Sequence, residues 1–256
     1  MDNKHNNLNK LLHATGMWRA SSIDDGSYAT IPTGFTLLDS TLPGNGWPAQ
    51  GLTELLYERP GIGELRLLGP GLAHLSQQDS RKILWINPPF IPYAPGLAAL
   101  GIQLHNILVV RPDTPLDALW VAEKALGSEG CSAVLLWPRT IEPRDIRRLQ
   151  VAGKAGNCLG VLFRPASAAG QASAAELRIK LTPDNQIDLQ DQTELRLQIL
   201  KRRGGWATSL KLSLQDDLNR RTPYFPELSI PLQSPTLPQG HQIPAISSWP
   251  EGIHVQ

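Results

Sequence analysis

Apolar and polar positions along the chain fall into two regimes. Between residues 52 and 163, short apolar runs alternate with amphipathic ones. The runs "LTELLY", "KILWI" (82–86), "NILVV" (106–110), "SAVLLW" (132–137) and "LGVLF" (159–163) are short and rich in branched and aromatic side chains, which predicts strands. Helix-like stretches separate them. "GELRLLGPGLAHLSQQ" has helical character, but Gly69, Pro70 and Gly71 predict a break or kink. "PGLAALGI" predicts a short helix. "TPLDALWVAEKALGSEG" is the clearest helix: Thr114 or Asp117 can cap it, Pro115 suits its first turn, and Gly127 or Gly130 ends it. Leu116, Leu119, Trp120, Glu123 and Leu126 share one stripe at helical spacing. "EPRDIRRLQVAGKAGN" predicts a second helix with Ile146, Leu149 and Ala152 inward and its arginines outward. Strands alternating with helices require crossover connections and a mainly parallel sheet. Runs as apolar as "AVLLW" fit a sheet covered on both faces.

After residue 170 the period changes to two. "ELRIKL", "TELRLQILKRR" and "WATSLKLSL", separated by the turn signals "PDNQ" and "RRGG", predict an antiparallel extension of the sheet. Residues 215–256 lose periodicity and carry Pro223, Pro226, Pro231, Pro235, Pro238, Pro244 and Pro250, the composition of a flexible tail. At the other end, residues 1–30 are polar apart from Leu8, Leu11 and Leu12. Residues 31–51 are rich in Gly and Pro yet keep Phe35, Leu37, Leu38 and Trp47, so they read as a structured lead-in. The expected organisation is an extension over 1–30, an α/β core over 31–214 and a tail over 215–256.

Composition changes this picture little. With 41% hydrophobic and 18% charged residues the chain is an ordinary globular one rather than a disordered one. A net charge of +1 supplies no general attraction to nucleic acid. Cys131 and Cys158 lack CxxC partners, so neither zinc nor a disulfide framework is expected. The six histidines show no metal-ligand spacing. No apolar run approaches the ~20 residues of a membrane span, and the first residues lack a signal-peptide core. A cytoplasmic protein without membrane contact is expected.

The stretch "YERPGIGELRLL" (57–68) lies where a phosphate-binding loop would follow the first strand. Such a loop points backbone N–H groups at phosphates, neutralises them with lysine and holds magnesium through a hydroxyl. The matching window runs from Glu58 to Leu65. It keeps Gly63, but Glu64 stands at the lysine position and Leu65 at the hydroxyl position. The lead-in before it, with Thr33, Gly34, Leu38, Asp39, Gly44, Gly46, Pro48, Gly51 and Glu54, resembles the approach to the ATPase core of the RecA recombinases. "ILWINPPF", "LGIQLHNILVVRPDTPLDAL", "AVLLW" and "LRLQILKRRGGWATSLKLSL" extend the resemblance over about two-thirds of the chain. It implies a RecA-like fold. Carried over by position, the magnesium-supporting aspartate falls at Trp137 and the catalytic glutamate at Pro89. Four functional positions are thus lost together, which implies no ATP hydrolysis, no catalytic residue and no cofactor. A surviving weak ATP-binding ATPase would need Arg59 or Arg66 to replace the lysine, and neither has the spacing.

"GMWRASS", "LPGNGWPAQGLTELL", "GIGELRLL" and "GVLFRPASAA" together resemble ImuA, a RecA-like family of bacterial mutagenesis cassettes. That resemblance implies an adaptor in SOS-induced translesion DNA synthesis. Its implied partners are an ImuB-type Y-family polymerase homologue, an error-prone relative of the polymerase alpha subunit, and RecA. The segment "VLLWPRTIEPRDIRRLQVAGKAGNCLGVLFRPASAAGQASAAELRIKL" is also similar to SulA, an SOS inhibitor of cell division that binds FtsZ. The lead-in and the strands after residue 190, which a shorter SulA lacks, weigh toward ImuA.

The candidate contact residues are few. Lys201, Arg202 and Arg203 suit a solvated hairpin turn, a phosphate contact or a protein interface. Trp18 and Arg19 are residue types favoured as interface anchors, or they fold back on the core. Arg144, Arg147 and Arg148 form an exposed helix face. "PASAAGQASAA" is short and uncharged, a poor DNA-contacting loop.

Overall fold

A computed structural model describes residues 29–184 and 194–214. The chain enters through a two-residue strand, β1 (Thr30–Ile31), which pairs antiparallel with β2 (Trp47–Pro48). Between them lies α1 (Thr36–Thr41). Its entry turn is held by the Thr33 N–H, which donates to Asp39 Oδ1 at 2.9 Å. Then follow β3 (Gly51–Tyr57), α2 (Glu64–Gln78), β4 (Lys82–Ile86), α3 (Ala94–Ala99), β5 (Ile107–Val110), α4 (Pro115–Gly127), β6 (Cys131–Leu136), α5 (Pro143–Ala155), β7 (Leu159–Pro165), β8 (Leu177–Pro183), β9 (Glu194–Lys201) and β10 (Thr208–Ser213).

Eight strands form one sheet in the order β10-β9-β8-β3-β7-β6-β4-β5. Strands β8, β3, β7, β6, β4 and β5 run parallel; β9 pairs antiparallel with β8, and β10 antiparallel with β9. The fold is therefore mixed α/β: a mainly parallel sheet flanked by helices, with antiparallel strands at one edge. The expectation errs at "ELRIKL". This strand, β8, pairs parallel with β3 (Thr53 opposite Leu177), and the antiparallel part begins only at β9. The connection through residues 166–176 carries the chain past β3 before β8 starts, so β8 enters in the same sense as β3.

Both faces of the sheet are covered, which is why β3 and β6 are buried along their whole length. One core gathers around α1 and α2, with Leu38, Trp47, Leu55, Leu67, Leu68, Leu72 and Trp85. The other lies under α4 and α5, with Leu52, Ile86, Ala122, Leu126, Ile146 and Leu149.

Two helices differ from their sequence patterns. Helix α2 runs unbroken through Pro70. The glycines beside the proline serve packing instead: a methyl on Gly71 would stand 3.1 Å from the Trp47 indole, and one on Gly69 3.0 Å from Leu100. In α4 the Thr114 hydroxyl caps the first turn, accepting from the Asp117 N–H at 3.1 Å. Its buried side is Ala118, Ala122 and Leu126, whereas Leu116 and Trp120 of the apolar stripe stand 76% and 58% exposed. Small residues win the inner face because α4 lies close against α5 and the sheet. Among the described residues, no helix is long and apolar enough to cross a membrane.

Candidate functional site

In parallel α/β sheets, ligands gather at the carboxyl ends of the strands. Here that end carries the loop 58–63, between β3 and α2. Gly61 and Gly63 take φ values of +87° and +111°, a backbone that L side chains rarely adopt. The turn aims the Gly61 N–H inward, and the acceptor it finds is the chain's own. Glu64 Oε1 and Oε2 accept that N–H at 2.8 and 3.1 Å. The Glu64 side chain is buried, at 4% exposure, at the first position of α2. A carboxylate there also meets the positive end of the helix dipole. Thus the residue standing at the lysine position is an internal anion that takes up a loop amide. Leu65 is partly buried against the core, while Glu58, Arg59, Pro60 and Gly61 are exposed.

The ground beside this loop is filled with rings. Tyr57 ends β3, Trp137 follows β6, Phe163 lies on β7 and Trp85 on β4. Trp137 and Phe163 stack at 4.2 Å between ring centroids with 4° between planes. Trp85 stands 5.6 Å from Trp137, and Tyr57 6.0 Å from Phe163. Burial, followed by the negative charge of Glu64, pushes the Tyr57 phenol above its ordinary range. At the position where a magnesium-supporting carboxylate was sought, the chain therefore has a buried, stacked indole.

The second candidate set lies elsewhere. Strand β9 runs antiparallel to its neighbour, so the turn after it sits at the amino ends of the parallel strands, opposite the loop. Lys201 Nζ donates to the Ser173 carbonyl at 3.0 Å. Arg202 donates to the Thr41 carbonyl and forms an isolated bridge with Gly205. Arg203 and Trp206 are exposed, Trp206 at 91%. Two of the three basic residues thus tie the hairpin to the body of the protein. Trp18, Arg19 and the tail 215–256 lie outside the described residues.

One cluster escaped the reading of the sequence. Glu54, fully buried in β3, faces two arginines from the strands on either side. Arg178 Nε reaches Glu54 Oε2 at 2.8 Å, and an Arg164 guanidinium nitrogen lies 3.4 Å from Oε1. The Ser173 hydroxyl donates to Oε1 at 2.6 Å. Arg164 also donates to Gln171 Oε1 at 2.7 Å, and Arg178 to the Ala168 and Ala169 carbonyls at 2.9 and 3.4 Å. The signal was a charge inside each apolar run: Glu54 in "LTELL", Arg164 in "VLFRP" and Arg178, beside Lys180, in "LRIKL". The group is a clamp on residues 166–173.

Comparison with known proteins places this geometry. Residues 51–160, from β3 into β7, match the family model "Cell division inhibitor SulA". The "Cell division inhibitor SulA" of Photorhabdus laumondii subsp. laumondii is 33% identical over 116 residues, 45% of this chain and 65% of that protein. That of Yersinia pestis (strain Pestoides F) is 32% identical over 130 residues, 50% of this chain and 77% of the relative. The chain belongs to the SulA family. A crystal structure of SulA from Pseudomonas aeruginosa matches with 23% identity and a TM-score of 0.38, over 44% of this chain and 97% of that one.

Membership in the SulA family corrects the assignment to ImuA. With it fall the role in translesion synthesis and the implied partners: the ImuB-type polymerase homologue, the polymerase alpha-subunit relative and RecA. The residues that carried that assignment have structural work to do. Thr33 and Asp39 close the turn into α1. Gly46 leaves 2.4 Å between a would-be Cβ and the Ile31 carbonyl oxygen. Glu54 is the anchor of the buried clamp. Such residues mark how the lead-in packs, and packing is indifferent to which partner the protein meets.

Proposed function

We propose that this protein is a non-catalytic inhibitor of bacterial cell division, a SulA-type protein that acts by binding FtsZ in the cytoplasm. The observation that carries this reading is the match to cell division inhibitors over residues 51–160, a segment that contains the loop and the rings of Tyr57, Trp85 and Trp137. The absence of catalysis is supported by the chemistry of that segment. Glu64 engages the amide that a phosphate would need, and its charge repels phosphate oxygens. Trp137, Leu65 and Pro89 supply neither a metal ligand nor a base.

The finer description of the fold belongs to the same reading. The loop-bearing strand β3 lies mid-sheet between β7 and β8, and the antiparallel strands extend one edge. This order supports a RecA-like core over 31–214, flanked by the extensions 1–30 and 215–256. Its surface would then bind a partner in place of a nucleotide.

Two measurements test the proposal. Induced expression in a rod-shaped bacterium is expected to give filaments in which FtsZ rings are missing. Purified protein is expected to slow FtsZ assembly followed by light scattering. Normal division together with undisturbed assembly overturns the reading. ATP with magnesium is expected to leave the thermal transition in place, and a clear upward shift sinks the non-catalytic part.

A further inference from the structure

Strand β5 forms one edge of the sheet, with β4 on one side and no strand on the other among the described residues. Natural edge strands are usually blunted by charge, proline or a covering element. The residues Ile107–Val110 include no charge and no proline. Leu108 and Val109 stand 47% and 43% exposed, on opposite faces of the strand. Around them Phe90, Ile91, Tyr93 and Leu104 are also exposed, at 67%, 86%, 73% and 41%. A groove of about 290 Å³ lies between β5, α3 and the loop before α3. Its walls include Ile91, Leu97, Leu104, Ile107 and Val109, and its one charged residue is Arg111. That volume lies just below the ~300–1,000 Å³ of small-molecule sites, a size for side chains rather than for a nucleotide.

Arg111 sets the polarity of whatever enters. It is exposed and makes one hydrogen bond, to the Phe90 carbonyl at 3.2 Å. A guanidinium has five N–H donors and favours a carboxylate that can take two of them. Among the described residues, no carboxylate lines the groove. A second copy of this chain paired edge to edge would bring another Arg111 and the same apolar groove lining, while its exposed Asp113 lies outside that lining, so a carboxylate carried into the groove comes from a different protein.

From these features we infer that the β5 edge is the docking surface for the partner. The occupant is an extended segment of that partner, mainly apolar and carrying one carboxylate. Its backbone adds to β5 by strand pairing. Its apolar side chains enter the groove, and its carboxylate meets Arg111. This inference rests on the division-inhibitor reading for its choice of partner, FtsZ, and adds the place and chemistry of contact.

The test uses the full chain and purified FtsZ in a surface-binding assay. Val109→Lys places a charge on the groove wall and Arg111→Glu reverses the cation. Ser209→Lys, at the opposite edge strand β10, is the control. Near-ultraviolet circular dichroism and thermal transitions matching the parent establish that each variant folds. Both β5 variants are expected to lose at least about tenfold in affinity, with the control unchanged. If the parent binds FtsZ and the folded β5 variants bind equally well, the docking surface is overturned while the partner stands. If the parent does not bind FtsZ, both are overturned. If β5 substitution instead dissociates a dimer of this chain without touching FtsZ affinity, the edge belongs to a second copy and the inference fails.

Discussion

Glu54 and Glu64 are both buried carboxylates, yet they obey different energetics. Glu64 answers a backbone amide at a helix start, where the dipole supports its charge. Glu54 sits in mid-sheet, and only Arg164, Arg178 and Ser173 offset its desolvation. Removing one member of such a group leaves charge buried without compensation, at a cost of about 3–5 kcal/mol. Glu54→Ala is therefore expected to lower the unfolding free energy in urea by that amount and to expose residues 166–173 to protease. A loss below about 1 kcal/mol would mean that solvent reaches the cluster. A separate residue-scale effect concerns alkali. Burial, and secondarily the nearby Cys131, raise the Cys158 thiol well above its ordinary 9.0. Tyr57 is raised above 10.0 by burial and then by Glu64. In both cases the folded state holds the proton more tightly than the unfolded one. The associated stability is complete below the ordinary value and falls as pH climbs from there toward the raised one. Stability should thus decline from about pH 9, with a second contribution above 10. Cys158→Ala should flatten the first part and Tyr57→Phe the second, read from urea midpoints across pH.

At the scale of elements, α4 shows where pattern and packing part. Its heptad-like stripe is apolar by composition, but the face that fits against α5 and the sheet is the alanine face. Ala122→Leu is expected to cost about 1–3 kcal/mol through overpacking. Trp120→Ser, at 58% exposure, should stay within about 0.5 kcal/mol, measured by thermal or urea unfolding. Comparable costs for both would contradict the assigned faces. Strand positions were legible because apolar runs of four to seven residues, bounded by turns, admit few other conformations. The continuity of α2 through Pro70 was not, because it depends on Trp47 and Leu100 arriving from distant parts of the chain. The parallel sense of β8 was hidden for the same reason: its own alternation fits either partner direction.

For the whole molecule, the sheet separates the two groups of residues that sequence motifs had suggested. The loop 58–63 lies at one end of the strands and the basic turn 201–203 at the other, so no single surface unites them. The lack of a lysine and a hydroxyl in the loop was legible at Glu64 and Leu65 as residue types. That Glu64 turns inward to serve as the loop's own anion was not, because it needs the glycine turn geometry. The exposed β5 edge was likewise invisible, since "NILVV" looks the same whether a strand is central or last. The family was mistaken because the lead-in residues that carried the resemblance report packing, and packing does not reveal a partner.

The close set of Trp85, Trp137 and Phe163 also makes the protein its own optical probe. Two indoles 5.6 Å apart in a rigid frame couple their transitions, so the folded core should give a strong near-ultraviolet dichroic band. Trp206, almost wholly in water on its hairpin, should emit at the red end of the fluorescence spectrum and quench readily with iodide. Spectra of the unlabelled chain can then follow the ring cluster beside the loop and the far hairpin separately as the protein meets another molecule.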